Sequence, residues 1–217
     1  MLIDHIAECF LPPDTALYCV FRIVGRLSGP LMFFFLSEGF LHTRSRLQYG
    51  IRLFLFALIS QIPYALCFHK GLAVIDLNVG FTLLISFFAL LSLEKIEDRF
   101  IRFTVVFVLI SLSVICDWGV MGPLTALIFY KCRDNKSLRI KAYSVIGAVI
   151  ILSSFVLFGI SGEPWYKEWW HIGTFLVIPL LYFYDGTPGS RAAFHKWSFY
   201  IFYPLHLVVI CFLQTFL

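Results

Sequence analysis

The chain has 217 residues, of which 60% are hydrophobic, 18% aromatic and only 14% charged. Soluble domains carry about 45–50% apolar and about 25% charged residues, so this composition excludes a soluble globule. The net charge of +4 sits in short loops, which reads as membrane topology and excludes a nucleic-acid surface.

The apolar excess runs along almost the whole sequence, so residues 1–217 form a single integral-membrane domain. The six cysteines show no CxxC and no metal-ligand spacing, and no metal is expected. Met1 is followed at once by Asp4 and His5 without a basic leader, so no cleavable signal peptide is expected.

Segment one, 1–11, is apolar around Asp4, His5 and Glu8 and stops at Pro12-Pro13-Asp14. Eleven helical residues reach about 16 Å, while a bilayer core needs about 30 Å. A native start upstream of Met1 is therefore expected. Segment two, 16–42, holds Arg22, Arg26 and Glu38, with Gly25 and Gly29 as a small-xxx-small packing pair. Segment three, 47–68, is interrupted by Pro63. Segments four and five cover 77–94 and 101–116, and Asp117-Trp118-Gly119 breaks the run. Segment six, 119–131, is short enough to re-enter. Segment seven, 142–160, ends at Gly162-Glu163-Pro164, and Trp165, Tyr166, Trp169 and Trp170 follow as an interfacial cluster. Segment eight, 169–184, leads to the turn Asp185-Gly186-Thr187-Pro188-Gly189. Segment nine is 196–217.

With the N-terminus cytoplasmic, Arg44, Arg46, Arg52, Lys95, Arg99, Arg102, Lys131, Arg133, Lys136, Arg139, Lys141, Arg191 and Lys196 fall inside. Only Lys70 and Lys167 stay outside. The fold expected is all-α, a polytopic bundle of about eight to nine transmembrane helices.

Ionisable groups at membrane depth are costly, so each needs an explanation. His5 lies about 9 Å from the outer end of its segment, Arg26 about 15 Å and His206 about 16 Å from theirs. These groups can share a cavity near the midplane. Arg22 and Arg26 are four apart, on one helix face, and need an anion, for which Asp4 is the candidate. A plain ion pair locking two helices competes with a catalytic role. Asp4 and His5 point about 100° apart on a helix, so Asp4 is a poor orienter of His5. His206 lies in Tyr203-Pro204-Leu205-His206, where Pro204 favours a kink and frees a carbonyl. Arg44, Arg46 and Arg52 read as topogenic charge or, more sharply, as a phosphate site. Asn78 reads as the cap of segment four, and Asp117 as that of segment six. No P-loop, GxGxxG, HExxH or GxSxG is present.

The motifs MLIDHI, RIVGRLSGPLMFFFLSEGFLHT, YGIRLFLFALISQIPYAL, LNVGFTLL, CDWGVMG and FYIFYPLHLVVI follow in order. Together they resemble the TraX family of conjugal-transfer membrane proteins, whose founding activity is acetylation of the F-pilin N-terminus. The resemblance covers essentially the whole chain and is weak across 95–185. The family in turn resembles membrane acyltransferases that use acetyl-CoA.

By that resemblance His5 is the transfer histidine of the first span, and Arg52 the assisting arginine near the third. Arg26 matches the GR of the second-span motif, and His206 the YPLH motif. Two departures stand out. The chain starts too late to hold the basic residue that family members carry before the first-span histidine, and the usual Asn-Gly-rich turn is replaced by 185–189.

The resemblance implies a bacterial inner-membrane acetyltransferase. It would move acetyl from cytoplasmic acetyl-CoA to an outer acceptor, such as a pilin amine, a glycan hydroxyl or a lipid. His5 is then the general base, Arg26 the oxyanion donor, and His206 an orienter or an alternative base. Arg44, Arg46 and Arg52 would hold the donor's phosphates. A transporter using Asp4, Arg26 and His206 as a path, and a non-enzymatic filament-assembly factor, stay open as rivals.

Overall fold

The computed structural model describes residues 1–69, 76–162, 165–187 and 193–216, without the side chains of 69, 165–167 and 193–196. The side chains of Lys70, Glu163, Pro164, Trp165, Tyr166, Lys167, Pro188, Arg191 and Lys196, and Gly189, lie outside the described residues.

The described chain is helical, with one isolated parallel bridge, Leu77 to Cys116. The helices are α1 (Leu2–Phe10), α2 (Ala16–Gly25), α3 (Ser28–His42), α4 (Arg46–His69), α5 (Val79–Lys95), α6 (Arg99–Leu112), α7 (Met121–Lys131), α8 (Lys136–Ile160), α9 (Val177–Phe183) and α10 (Ala193–Gln214). A 3-10 stretch, Trp165–Leu176, precedes α9. Among the described residues, four stretches are long and apolar enough to cross a membrane: Ala16–His42, Arg46–Phe68, Lys136–Ile160 and Trp197–Gln214.

The outside of the bundle is as apolar as its core. Phe100, Phe103, Phe107, Leu152, Ile160, Phe183 and Phe212 are exposed, and α6 buries none of its residues. No aqueous monomer presents such a continuous apolar surface, so this one contacts lipid. Inside, Phe33, Phe34, Phe40, Phe87, Phe129 and Tyr143 form an aromatic core with Leu90, Leu207 and Ile210. Helix α4 packs on α5 and α10, and α3 and α5 on α7. Helix α1 folds back on α2, and the 3-10 stretch lies against α2 and α8.

Segments two, three and eight take a different form. Helix α4 runs from Arg46 to His69 through Pro63, so segment three is not interrupted there. Segment two is not one helix: it breaks at Arg26-Leu27 between α2 and α3. Pro30, four residues beyond Arg26, has no N–H to give to the Arg26 carbonyl, and the Leu27 amide turns instead to Val24 at 3.3 Å. Segment six is as short as expected: α7 is 11 residues long, or about 16 Å, too short to span. Segment eight is 3-10 as far as Leu176 and α-helical only over Val177–Phe183. Pro179 cannot bond the Phe175 carbonyl, and the Thr174 carbonyl is claimed by the Tyr143 hydroxyl at 2.9 Å. Gly173 lies so close to the Ile23 backbone that a Cβ there would collide with it.

The break at 113–119 is held by backbone bonds. The Leu77 amide donates to Ile115 O at 2.9 Å, and the Asp117 amide to Leu77 O at 2.7 Å. The Thr82 hydroxyl donates to the Asp117 carbonyl. Asn78 caps α5 as expected, its Oδ1 accepting from the Gly80 amide at 2.7 Å. It does more than cap, because its Nδ2 ties α5 to α4 through Ala57 O at 2.9 Å and Gln61 Oε1 at 2.8 Å. Asp117 does not cap α7, whose N-cap is Val120 with no side-chain bond; it lies four residues before the first turn.

Candidate functional site

A cavity of about 500 Å³ opens between α1, α2, α4 and α10, beside the 113–119 break. The structure brings Asp4, His5, Arg22, Arg26, Asp117 and Tyr203 to its wall, with His206 directly behind His5. Helix α1 delivers the first two side chains to different partners.

Asp4 faces the arginines. Its Oδ1 lies 3.1 Å from Arg22 Nη1, and its Oδ2 2.6 Å from Arg26 Nη2. Glu8, one turn on, meets Arg22 Nη1 at 2.7 Å. Two cations, one in the last turn of α2 and one at its C-cap, are thus matched by two carboxylates on one face of α1, which is what membrane depth requires. Gly25 permits the approach, since a Cβ there would strike the Asp4 carboxyl. The Trp170 ring covers both guanidinium groups, at 4.2 Å from Arg22 and 4.8 Å from Arg26. Such cation–π contacts strengthen when desolvated. The reading of Trp170 as an interfacial aromatic is therefore corrected: it is buried over the ion network. Trp169 beside it is exposed.

His5 faces the other way. Its Nδ1 lies 2.9 Å from His206 Nε2, with the two rings nearly parallel at 13°. His206 Nδ1 lies 2.9 Å from the Phe202 carbonyl. A carbonyl only accepts, so the proton of neutral His206 is on Nδ1 and its Nε2 carries the lone pair. His5 then donates from Nδ1, and its own Nε2 is left with a lone pair. The chain from Phe202 O through His206 to His5 ends in one basic nitrogen. Pro204 lies within α10, between Phe202 and His206. Phe68 packs edge-on to His5 at 5.0 Å.

Three donors at this site have no hydrogen-bond partner among the described residues: Arg22 Nε, Arg26 Nε and the hydroxyl of the buried Tyr203. Asp76 and Asp117 add carboxylates to the wall, and Tyr64 reaches Asp76 Oδ2 at 3.4 Å. A second cavity of about 180 Å³ shares Arg26, Asp117 and Trp118 with the first and is lined also by His171. Trp118 adopts φ 67°, the left-handed region that a bulky residue enters only when its surroundings force it. Its ring fills the space that Gly29 leaves. His171 is held by Glu168 at 2.9 Å.

The remaining expected residues lie elsewhere. Glu38 accepts from the Tyr184 hydroxyl at 3.2 Å and faces His42 at 3.8 Å, at the far end of α3. Arg46 is engaged by Glu94, with Nε at 3.2 Å and Nη2 at 3.1 Å, and lies over the Phe40 ring. Arg44 is exposed. Arg52 lies over the Tyr49 ring, its Nε buried without a hydrogen-bond partner. None of these three lines the His5 cavity.

Sequence reasoning missed Trp118, Trp170, Glu168 and His171 as site residues. Their signal, aromatic residues and single charges after an apolar run, is the same as that of an ordinary membrane interface.

A family profile described as TraX protein matches residues 1–214. The chain belongs to the TraX family. One relative of this TraX protein is the probable fimbrial assembly protein FimC, serogroup H1, of Dichelobacter nodosus. It is 31% identical over 229 residues, covering 100% of this chain and 92% of that protein. No solved structure matches the TraX chain.

Proposed function

We propose that this protein is an inner-membrane acetyltransferase that takes acetyl from cytoplasmic acetyl-CoA and passes it to an acceptor on the outer side. The observation that carries the reading is the 2.9 Å contact between His5 and His206. It leaves His5 Nε2 as a general base, and His206 Nε2 as the acceptor that steadies the imidazolium formed when His5 takes a proton.

In the reaction, the acceptor's nitrogen or oxygen attacks the thioester carbonyl as its proton passes to His5 Nε2. The oxyanion of the tetrahedral intermediate needs donors, and Arg26 Nε–H and Tyr203 O–H both have none of their bonds made. Collapse breaks the C–S bond, and the thiolate leaves with the proton held by His5. Asp4 holds Arg26 in place. The acceptor favoured is a primary amine, such as a pilin N-terminus, because Asp76 and Asp117 line the cavity and attract its ammonium form, which sheds one proton to water before its nitrogen attacks. The donor's phosphates would use Arg44 and Arg52 at the inner end of α4, with Arg46 once it leaves Glu94.

The test is acetyl transfer by the purified protein, read by mass spectrometry of the acceptor. His5→Ala should lose about 10²–10⁴-fold in rate, and hydroxylamine should fail to release the acetyl, as an amide requires. Full activity in His5→Ala and His206→Ala alike would remove histidine from the chemistry, and no transfer by the unaltered protein would end the enzyme reading. A second reading, as a non-catalytic assembly factor, is favoured by the name of the relative. It predicts that His5→Ala still supports filament assembly.

A further inference from the structure

We propose that Cys9 and Cys67 form a reversible disulfide site that tethers the histidine-bearing helix α1 to α4. Their sulphurs lie 3.8 Å apart, and both residues line the cavity of about 500 Å³. Cys9 follows His5 by one helical turn and therefore shares its face of α1. Cys67 precedes Phe68, the residue whose ring abuts His5 at 5.0 Å. The sulphur pair thus sits one turn from the imidazole, at the junction between α1 and its neighbours.

A disulfide bond is about 2.0 Å long, so the sulphurs must approach by about 1.8 Å. Helix α1 is 9 residues long, and rotation of the two side chains with a small shift of so short an element supplies this. In the reaction two S–H bonds break and one S–S bond forms. The two electrons and two protons reduce an external disulfide oxidant to its dithiol. The charge bias puts the end of α1 and the end of α4 at the outer face, where disulfides persist. The link would close a loop across |i−j| = 58, restricting the unfolded chain. Nothing in this step uses acetyl transfer, so it stands or falls apart from that reading.

The test uses the full chain in detergent, incubated with oxidised glutathione, alkylated, digested and analysed by mass spectrometry. The expected product is a Cys9–Cys67 linked peptide that dithiothreitol removes, together with a rise in unfolding temperature of roughly 5 °C or more. Cys67→Ser should show neither. Because the linked peptide is sought in the unaltered chain, the test does not depend on a variant that folds. Full alkylation of both thiols after oxidation, or a link from Cys67 to Cys211 on α10 instead, would overturn the proposal.

Discussion

Asp4 and His5 are adjacent in the chain but turn to different partners: the carboxylate meets Arg26 at 2.6 Å, while the imidazole meets His206 at 2.9 Å. One short helix therefore anchors an ion network with one residue and presents a base with the next. The ion network is the mechanical half of this arrangement. Asp4→Ala leaves the buried Arg22 with Glu8 alone and strips the half-buried Arg26 of its 2.6 Å partner. Breaking a buried pair on one side costs about 3–5 kcal/mol. The unfolding free energy in detergent should fall by that amount, and a loss below about 1 kcal/mol would mean the pair is solvated.

Arg46 offers the contrast. Its bond to Glu94 is partly exposed, so Arg46→Ala should change stability by only about 0.2–1 kcal/mol. If the inner arginines hold donor phosphates, its effect should appear in KM for acetyl-CoA, with kcat unchanged and the KM change shrinking at high salt. An unchanged KM would remove Arg46 from donor binding.

His206 does not hold the reactive lone pair in this arrangement; it positions the ring that does. His206→Ala should therefore lower kcat by about 10–100-fold and leave acetyl-CoA affinity intact, whereas His5→Ala should cost more. His206→Gln, which keeps an acceptor near His5 Nδ1, should recover part of the loss. Equal kcat in the alanine and glutamine variants would deny the hydrogen bond a role.

Gly173 lets the 3-10 stretch touch the Ile23 backbone. Gly173→Ala must push the two apart, at a cost of about 1–3 kcal/mol. Trp170 would lift from the arginines, and its fluorescence should shift toward that of a wetter indole. An unshifted spectrum would show that the contact tolerates a methyl group.

The membrane class and the polar residues of α1, α2 and α10 were legible because a charge inside an apolar run stands out against its neighbours. The meeting of His5 and His206, 201 positions apart in the chain, was expected from depth alone, since about 9 Å and about 16 Å from the outer ends of their segments allow a shared cavity. The tautomer chain that separates base from orienter needed the Phe202 carbonyl, a backbone atom with no sequence signature. The break at Arg26 was written in Pro30, yet apolar continuity hid it. Trp118 gave no sign of its positive φ, because that conformation is imposed by the pocket Gly29 leaves and not by its own residue type.

The thin coil between α8 and α9 bears on how often the polypeptide traverses the lipid. A 3-10 coil advances about 2.0 Å per residue against about 1.5 Å in an α-helix. The 12 residues of Trp165–Leu176 therefore cover about 24 Å of contour, as far as sixteen residues would reach in the ordinary form. With α9 appended, the contour of the stretch matches the roughly 30 Å of a bilayer core, a length that counting residues at the α-helical rise understates.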